Sequence, residues 1–318
     1  WVQASGQPYS TVLHHHAHAS AVVTEHGVSD TAIVFAWDGV GYGADGTLWG
    51  GETFTGQPGA WSRTASLRSF RLPGGDKAGR SPWRSAAALS WEAGVDCPLA
   101  VPDPIVREAW NRGVNAPQSS AAGRVFAAMA AIVLGVDETS FEGQGPMWLE
   151  ARARAEGDFP ELPIVVDAGG LPRIDWSPLL EWCRDGGRSV DARASAVHLA
   201  LADAICRVAE GERARSGAAI VGLTGGVFQN RLLAGLAHAG LERRGFRVLL
   251  PERIPCNDGG LGYGQVAEFL GRRAGPVAHE KGRRRRRGDP APRRQFPARP
   301  ARARHLLPGL LGIPRRQG

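Results

Sequence analysis

The sequence has 318 residues, of which 43% are hydrophobic and 22% are charged, a composition typical of a globular protein with one large domain or two moderate ones. No apolar run reaches the roughly 18 residues that a membrane-spanning helix needs, which excludes a protein built on such helices. The four cysteines form no Cys-x-x-Cys pair, which argues against a zinc ribbon or a disulfide scaffold and favours a reducing cytoplasm. The chain starts Trp1-Val2-Gln3, with neither an initiator methionine nor a secretory signal, and suggests an incomplete reading frame.

The positive charge of the chain is concentrated at one end. Residues 272–318 contain 15 of the 38 basic residues and 2 of the 31 acidic ones, so this segment carries +13 and residues 1–271 carry −6. We therefore predict one domain over 1–271 and expect it to have no nucleic-acid partner. The Arg- and Pro-rich segment 272–318 is predicted to be disordered, and its composition favours GC-rich DNA read out of frame over a nucleic-acid-binding arm.

In chain order, the first half predicts a helix followed by an antiparallel meander and further helices. The helix covers 11–26, and the strands cover 31–37, 47–54 and 62–70, with a glycine-rich turn over 38–43. The later helices are expected over 76–92, 102–111 and 119–134, the last capped by Ser119 or Ser120. The abrupt start of the meander suggests a sheet whose first strands are missing.

The second half alternates helices and strands, which predicts a mainly parallel sheet and an α/β fold. The helices are expected over 145–156, 190–215, 230–244 and 259–270. The strands are a hairpin of 164–167 with 172–174, then 218–223 and 247–250.

Four histidines stand within the five residues 14–18. His14 and His18 are four residues apart on a predicted helix, so they project from one face and could hold one metal ion. The alternative is a pair of packed core histidines. His15 and His16 point elsewhere on the helix, where they contact a substrate or are solvated.

Three further segments carry residue types that suit a ligand site. Asp38 ends an apolar strand, and Gly39, Gly41 and Gly43 after it allow close approach of a phosphate, or simply form a hairpin turn. The segment 223–230 is a strand, a glycine pair and a helix start, which favours an anion or a nucleotide but also fits a tight turn. Asp258 is either a helix cap or a metal ligand, and Cys256 fits a buried small residue better than a nucleophile.

The segment 70–84 carries basic residues near a Gly-Gly turn. Such cations suit a phosphate or a carbamoyl-type anion, and a solvated helix face is the alternative. The basic residues are Arg71, Lys77, Arg80 and Arg84.

Six ordered motifs in residues 10–271 together resemble a known family. They are HHHAH, FAWDGVGYG with LWGGE, FRLPGGDKAGRSPWR, SSAAGRVF, TGGVFQNRLL and CNDGG. This set resembles the C-terminal, Kae1-like carbamoyltransferase part of HypF, a maturation factor of [NiFe]-hydrogenases. The resemblance implies an actin-like ATPase (ASKHA) fold, with two α/β lobes around a nucleotide cleft.

The resemblance also implies roles for individual residues. His14, His18, Asp38 and Asp258 match the ligands of one Fe or Zn ion. Nucleotide contacts are implied for Gly39, Gly41, Gly43, Gly225, Gly226 and Asn230, and we predict catalytic roles for His15, Arg80 and Arg84. Two positions depart from the family pattern: Ala127 replaces an acidic residue expected near a ribose, and Trp148 replaces another after Glu-Gly-Gln.

The function implied is transfer of a carbamoyl group from an ATP-derived carbamoyl-adenylate to the C-terminal cysteine of a HypE-type acceptor protein. The whole family protein also carries an acylphosphatase-like domain, zinc fingers and a YrdC-like domain that makes the adenylate, and the 318 residues contain none of them. The alternatives are an O-carbamoyltransferase for a small hydroxyl substrate and an inactive metal- or nucleotide-binding remnant. No membrane partner is expected, and the cytoplasm is the expected location.

Overall fold

A mixed sheet of nine strands forms the centre of the computed structural model, which describes residues 6–101 and 103–275. The strands are β1 Ala32–Tyr42, β2 Leu48–Gly56, β3 Ser62–Leu67, β4 Phe70–Arg71, β5 Gln118–Ser119, β6 Ile164–Val166, β7 Pro172–Ile174, β8 Ile220–Thr224 and β9 Arg247–Leu249. The α-helices are α1 His14–Glu25, α2 Pro82–Glu92, α3 Pro104–Asn111, α4 Ala122–Leu134, α5 Gln144–Arg152, α6 Ser177–Arg184, α7 Val190–Ser216, α8 Arg231–Arg243 and α9 Leu261–Ala274. Short 3₁₀ turns occupy Gly75–Gly79, Gly226–Gln229 and Asp258–Gly260.

The strand order is β6-β7-β3-β2-β1-β8-β9, with the small β4 and β5 beside β2. Strands β1, β2 and β3 form the predicted antiparallel meander, and β8 and β9 run parallel to β1 and to each other as predicted. The α/β class is therefore confirmed. The described residues build one sheet.

Strand β1 is buried on both faces, which explains its nearly continuous apolar sequence. Ile33, Phe35 and Trp37 face the larger core, which includes helices α4 and α7. Val34, on the opposite face, packs with Val22 of helix α1 in a second core. Asp38 follows these buried residues, just beyond the point where β1 stops pairing with β8.

The predicted glycine-rich turn over 38–43 is wrong, because β1 continues through it to Tyr42. The strand pairs with β2 as far as Tyr42 opposite Leu48, and a bulge lies between Trp37 and Gly41. Glycines without turn geometry fit here because their missing Cβ atoms allow other elements to approach the strand. A high glycine content is therefore compatible both with a turn and with a strand that other elements approach closely.

Two predicted helix starts are also wrong. The helix expected over 76–92 begins at Pro82, because proline fits the first helical turn but cannot continue a helix that begins earlier. Helix α4 is capped by Ala121 rather than by a serine. The two predicted caps are engaged elsewhere, since Ser119 Oγ accepts from the Ala121 amide and Ser120 Oγ donates to Glu52.

Helix α6 is absent from the sequence predictions. It has eight residues and no capping side chain, and it forms because Leu179, Leu180 and Cys183 pack into the larger core. At the other end of the chain, helix α9 runs to Ala274, beyond its predicted end at Leu270. The remainder of the predicted 272–318 tail lies outside the described residues, and the division at 271 stays a prediction.

Candidate metal centre and ligand cavity

Four side chains converge just beyond the point where β1 stops pairing with β8. Donor atoms of His14, His18, Asp38 and Asp258 all lie within 4.8 Å of one another. Asp38 Oδ2 is 2.8 Å from His14 Nε2 and 3.2 Å from His18 Nε2, and these two nitrogens are 3.2 Å apart. Asp258 Oδ1 completes the group at 3.5 Å from His14 Nε2 and 3.6 Å from His18 Nε2.

This donor set fits a divalent zinc or iron ion. Four donors that share one tetrahedral ion, with bonds of about 2.1 Å, stand about 3.4 Å apart, close to the separations observed here. Two imidazole nitrogens and two carboxylate oxygens are also ligands that both metals accept. The four residues predicted as metal ligands are therefore brought together.

The local fold explains why these residues meet. His14 and His18 lie one turn apart on α1, and the glycine at position 41 leaves space for the neighbouring rings, since a Cβ atom there would stand 2.9 Å from His14 Cδ2. Asp38 is fixed through its second oxygen: the amides of Gly39 and Gly226 donate to Oδ1 at 2.8 Å and 3.3 Å. Oδ2 is thereby held toward the histidines.

The electrostatics of the group favour a carboxylate ready to bind a cation. Burial alone would raise the pKa of Asp38, but hydrogen bonds with His14 and His18 outweigh it and hold that pKa well below its usual range. Burial likewise opposes a charge on His14, yet the hydrogen bond with Asp38 outweighs it and raises the pKa of the imidazole. Asp258 is 71% exposed at its side chain, so an incoming ion has access from that side.

A cavity of about 820 Å³ opens next to the four side chains, and Asp38 and Asp258 belong to its wall. This volume lies within the usual range for small-molecule and cofactor sites. Most of the remaining wall comes from the start of α4, from α5 and the segment before it, from the turn after β8 and from residues 257–259. The cavity lies at the carboxyl ends of the parallel strands β1 and β8, where α/β sheets bind ligands.

The predicted nucleotide residues divide into two groups. Gly39, Gly226 and Asn230 line the cavity, whereas Gly41, Gly43 and Gly225 do not. Gly225 has φ +95° and a Cβ atom there would stand 2.2 Å from the Trp37 carbonyl oxygen, so it is required by close packing of the loop on β1. Gly43 similarly makes room for the Trp49 ring.

The Asn230 amide is already engaged within the protein. Its Oδ1 accepts from the Leu233 amide and caps α8, and its Nδ2 lies 2.8 Å from His198 Nε2. The His198 ring is fully buried and its Nδ1 lies 2.8 Å from the Ala194 carbonyl oxygen, so Nδ1 donates and Nε2 accepts from Asn230. Burial lowers the pKa of His198, which keeps the ring neutral. No pattern in the sequence points to His198.

The residues predicted to be catalytic, His15, Arg80 and Arg84, lie away from the cavity. His15 is fully buried, with no partner for either ring nitrogen, and burial lowers its pKa to about 3, so it is neither solvated nor in contact with the cavity. Arg80 is exposed and Arg84 stacks over Trp83, and neither lines the cavity. Arg124 of α4 occupies the wall instead.

The missed Arg124 has a signal in the sequence. It is the only charged residue of α4, whose other members are apolar or glycine. An isolated charge in such a helix is costly to bury unless it has a partner or a function. His198, by contrast, has no comparable signal because a histidine in an amphipathic helix is common.

Comparison with known families decides where the chain belongs. The family model described as "Carbamoyltransferase, Kae1-like Domain, second subdomain" matches residues 34–265. The chain belongs to this family. The match includes Asp38 and Asp258.

Curated relatives carry the name of the same family. A carbamoyltransferase HypF of Rhodobacter capsulatus is 40% identical over 271 residues, which are 82% of this chain and 36% of the relative. A carbamoyltransferase HypF homolog of Cupriavidus necator is 39% identical over 282 residues, 81% of this chain and 70% of the relative. The chain thus spans about a third of the first relative and most of the second.

Two solved structures share the fold. A full-length HypF crystallised in its phosphate- and nucleotide-bound form aligns with a TM-score of 0.77 at 29% identity, over 84% of this chain and 44% of that one. The HypF of T. kodakarensis aligns with a TM-score of 0.70 at 29% identity, over 81% and 36% of the two chains. Among the described helices of the present chain, none combines the length and apolarity that a bilayer crossing requires.

Proposed function

We propose that this chain carries out the carbamoyl-transfer step of a HypF-type enzyme. In this proposal it holds one Fe or Zn ion and a carbamoyl-adenylate, and it transfers the carbamoyl group to the C-terminal cysteine of a HypE-type acceptor during synthesis of the cyanide ligands of [NiFe]-hydrogenases. The observation that carries the proposal is the convergence of four metal-ligand atoms on the wall of a cavity of about 820 Å³. Membership of a carbamoyltransferase family supports the same reaction class.

The chain contributes the carboxylates of Asp38 and Asp258 to this site. Asp38 is held by two backbone amides on one oxygen and faces both histidines with the other. A bound Zn or Fe ion supplies Lewis-acid chemistry that polarises a phosphoryl or carbamoyl oxygen. Asp38 and Asp258 would hold the ion together with the two histidines and would offset its charge, and both carboxylates lie in the cavity wall.

The proposed transfer is a nucleophilic substitution at the carbamoyl carbon. A bond forms between that carbon and the acceptor sulfur, and the bond between the carbon and the adenylate phosphate oxygen breaks. AMP leaves, and the thiol proton is lost to solvent. The cavity wall near Gly226 and Asn230 suits the nucleotide part of the donor, because it lies beside the carboxyl end of β8.

A transfer assay with a defined acceptor tests this function. The purified, zinc- or iron-loaded chain is mixed with freshly prepared carbamoyl-adenylate and a HypE-type protein, and intact-protein mass spectrometry follows addition of one carbamoyl group. We expect addition at the C-terminal cysteine, faster than without the chain. An acceptor with serine in place of that cysteine should stay unmodified.

Asp258 provides the matched variant for this assay. Its side chain is 71% exposed, so Asp258→Ala should fold normally while it loses one metal ligand and most of the transfer rate. Asp30→Ala, which removes another exposed carboxylate, is the control and should transfer normally. A metal-loaded chain that transfers no faster than the reaction without protein would refute the proposed function.

A further inference from the structure

Arg124 places a permanent positive charge in the cavity wall. Its side chain is 6% exposed, and its Nε is buried with no hydrogen-bond partner in the described part of the chain. Among the residues that the structure describes, its guanidinium has one charged partner, Glu142, whose Oε1 lies 2.6 Å from Nη2. An arginine stays protonated at any physiological pH, so its charge has to be balanced by an anion.

Glu142 is a counter-anion that can leave at little cost. Its side chain is 57% exposed, and it belongs to the segment just before α5 rather than to a helix or strand. A carboxylate with that much exposure recovers its hydration when it moves away, whereas Arg124 is held inside the wall. The pair is thus a fixed cation with a replaceable anion.

Two glycines leave room for the Glu142 carboxylate, because neither carries a Cβ atom. A Cβ atom at Gly39 would stand 2.8 Å from Glu142 Oε1, and one at Gly79 would stand 3.2 Å from Oε2. Gly39 directly follows Asp38, so this slot adjoins the candidate metal centre. The carboxylate therefore occupies a space beside the metal ligands that another compact oxyanion could fill.

Arg124 lies in a cavity wall whose other charged residues are acidic. Among the described residues that line it, Arg124 is the one cation, and the acidic members are Asp38, Glu142, Glu150 and Asp258. A nucleotide phosphate that enters this wall needs a positive partner, and the planar guanidinium binds phosphoryl oxygens through paired hydrogen bonds. The predicted cations Arg80 and Arg84 lie outside the wall.

We propose that Arg124 binds the phosphoryl group of the nucleotide and that this group displaces the Glu142 carboxylate from the guanidinium. The inference rests on the proposed function only in that the cavity takes an adenosine nucleotide. Arg124 would then set the position of the phosphate next to Asp38, and Glu142 would act as an internal competitor that keeps the buried charge balanced before the ligand arrives.

Calorimetric titrations with adenosine, AMP and inorganic phosphate test the proposal on the whole chain as purified, with the metal content of every sample measured. The unmodified chain should bind AMP more tightly than adenosine or phosphate. Arg124→Gln should weaken AMP binding by roughly 10- to 100-fold, the range for a charge-assisted pair, and leave adenosine binding unchanged. Arg124→Lys should recover part of the loss, because it keeps the charge but not the planar fork.

Glu142→Gln gives an opposite and independent expectation. It removes the competing anion at an exposed position, so it should fold and should bind AMP several-fold more tightly than the unmodified chain. Arg112→Gln, at an exposed arginine outside the cavity, is the control and should bind all three ligands normally.

The outcomes separate this proposal from the proposed function. An unchanged ratio of AMP to adenosine affinity in Arg124→Gln, or weaker AMP binding in Glu142→Gln, would overturn the role of Arg124 while the nucleotide site stands. Phosphate binding that depends on Arg124, without any advantage of AMP over adenosine, would mean a free phosphate site and would also overturn it. An unmodified chain that binds neither adenosine nor AMP would refute the nucleotide part of the proposed function together with this inference.

Discussion

Replacing Gly41 by alanine should weaken metal binding without removing any ligand. Gly41 lies in strand β1 beside the histidines of α1, and an added Cβ atom would stand 2.6 Å from His15 Cε1 and 2.9 Å from His14 Cδ2. Its φ angle is negative, so alanine fits the backbone and the effect comes from contact with the rings.

The magnitude follows from carbon–carbon contact distances. Such contacts are comfortable at about 3.5–4.0 Å, so the two rings have to move by roughly 0.6–1.4 Å. Metal–ligand distances tolerate only about 0.2 Å, so the shift moves His14 away from good coordination geometry while all four ligand residues are still present. We expect zinc affinity to fall by roughly 10- to 100-fold, as is usual for changes just outside a ligand set.

The assay is competition with a chromophoric zinc chelator, alongside adenosine and AMP titrations. Gly235→Ala is the matched control, because that glycine lies in α8 with open space around it and its replacement should leave zinc affinity unchanged. Normal zinc affinity in Gly41→Ala with reduced AMP affinity would refute the steric reasoning and support the sequence prediction of a phosphate-binding role instead.

Three further changes probe the framework of the site. Glu268→Gln should destabilise the protein by about 3 kcal/mol at neutral pH, because hydrogen bonds to the buried carboxylate outweigh the effect of burial and lower its pKa to about 2. In urea unfolding, the difference in stability from the unmodified protein should shrink as the pH falls from about 4.5 toward 2. A difference that stays constant over this pH range would contradict the prediction. Gly225→Ala should cost more than about 2 kcal/mol in thermal unfolding because its Cβ atom would overlap the Trp37 carbonyl at a positive φ angle, and a normal melting temperature would speak against that contact. His198→Phe should lower the free energy of unfolding by about 1–3 kcal/mol, because it leaves Asn230 Nδ2 without its acceptor. His198→Gln can retain an acceptor and should lower it less. Equal losses in the two variants would argue against this hydrogen bond.

The architecture could be predicted where a local pattern matched the long-range fold. The apolar run at 31–37 is a central strand because both faces of β1 are covered, and the alternation of helices and strands in the second half gave the parallel pairing of β1, β8 and β9. The glycines at 39–43 were misassigned because a strand that needs room for neighbouring elements has the same composition as a turn. Only the packing of Gly41 against His14 distinguishes the two.

The candidate site could be predicted in part for a similar reason. The spacing of His14 and His18 fixes their common face within one helix. The approach of Asp258 depends on the fold, so the residues alone left a helix cap and a metal ligand as alternatives for it. Arg80 and Arg84 were chosen because they cluster in sequence, yet a sequence cluster does not determine which side chain faces a cavity. Arg124, alone in an apolar helix, is the one that the fold turns toward it.

The order of the metal ligands along the chain has a consequence for folding. His14 and His18 lie near the start of the described residues and Asp258 near their end, and α1 packs closely on α9, where a Cβ atom at Gly264 would overlap the Ala17 carbonyl oxygen. The ligand set is therefore complete only after almost the whole described chain has been synthesised and its most distant segments have met. Such contacts form late and slowly because loop closure has to precede them. Metal uptake at this centre should accordingly follow folding rather than direct it.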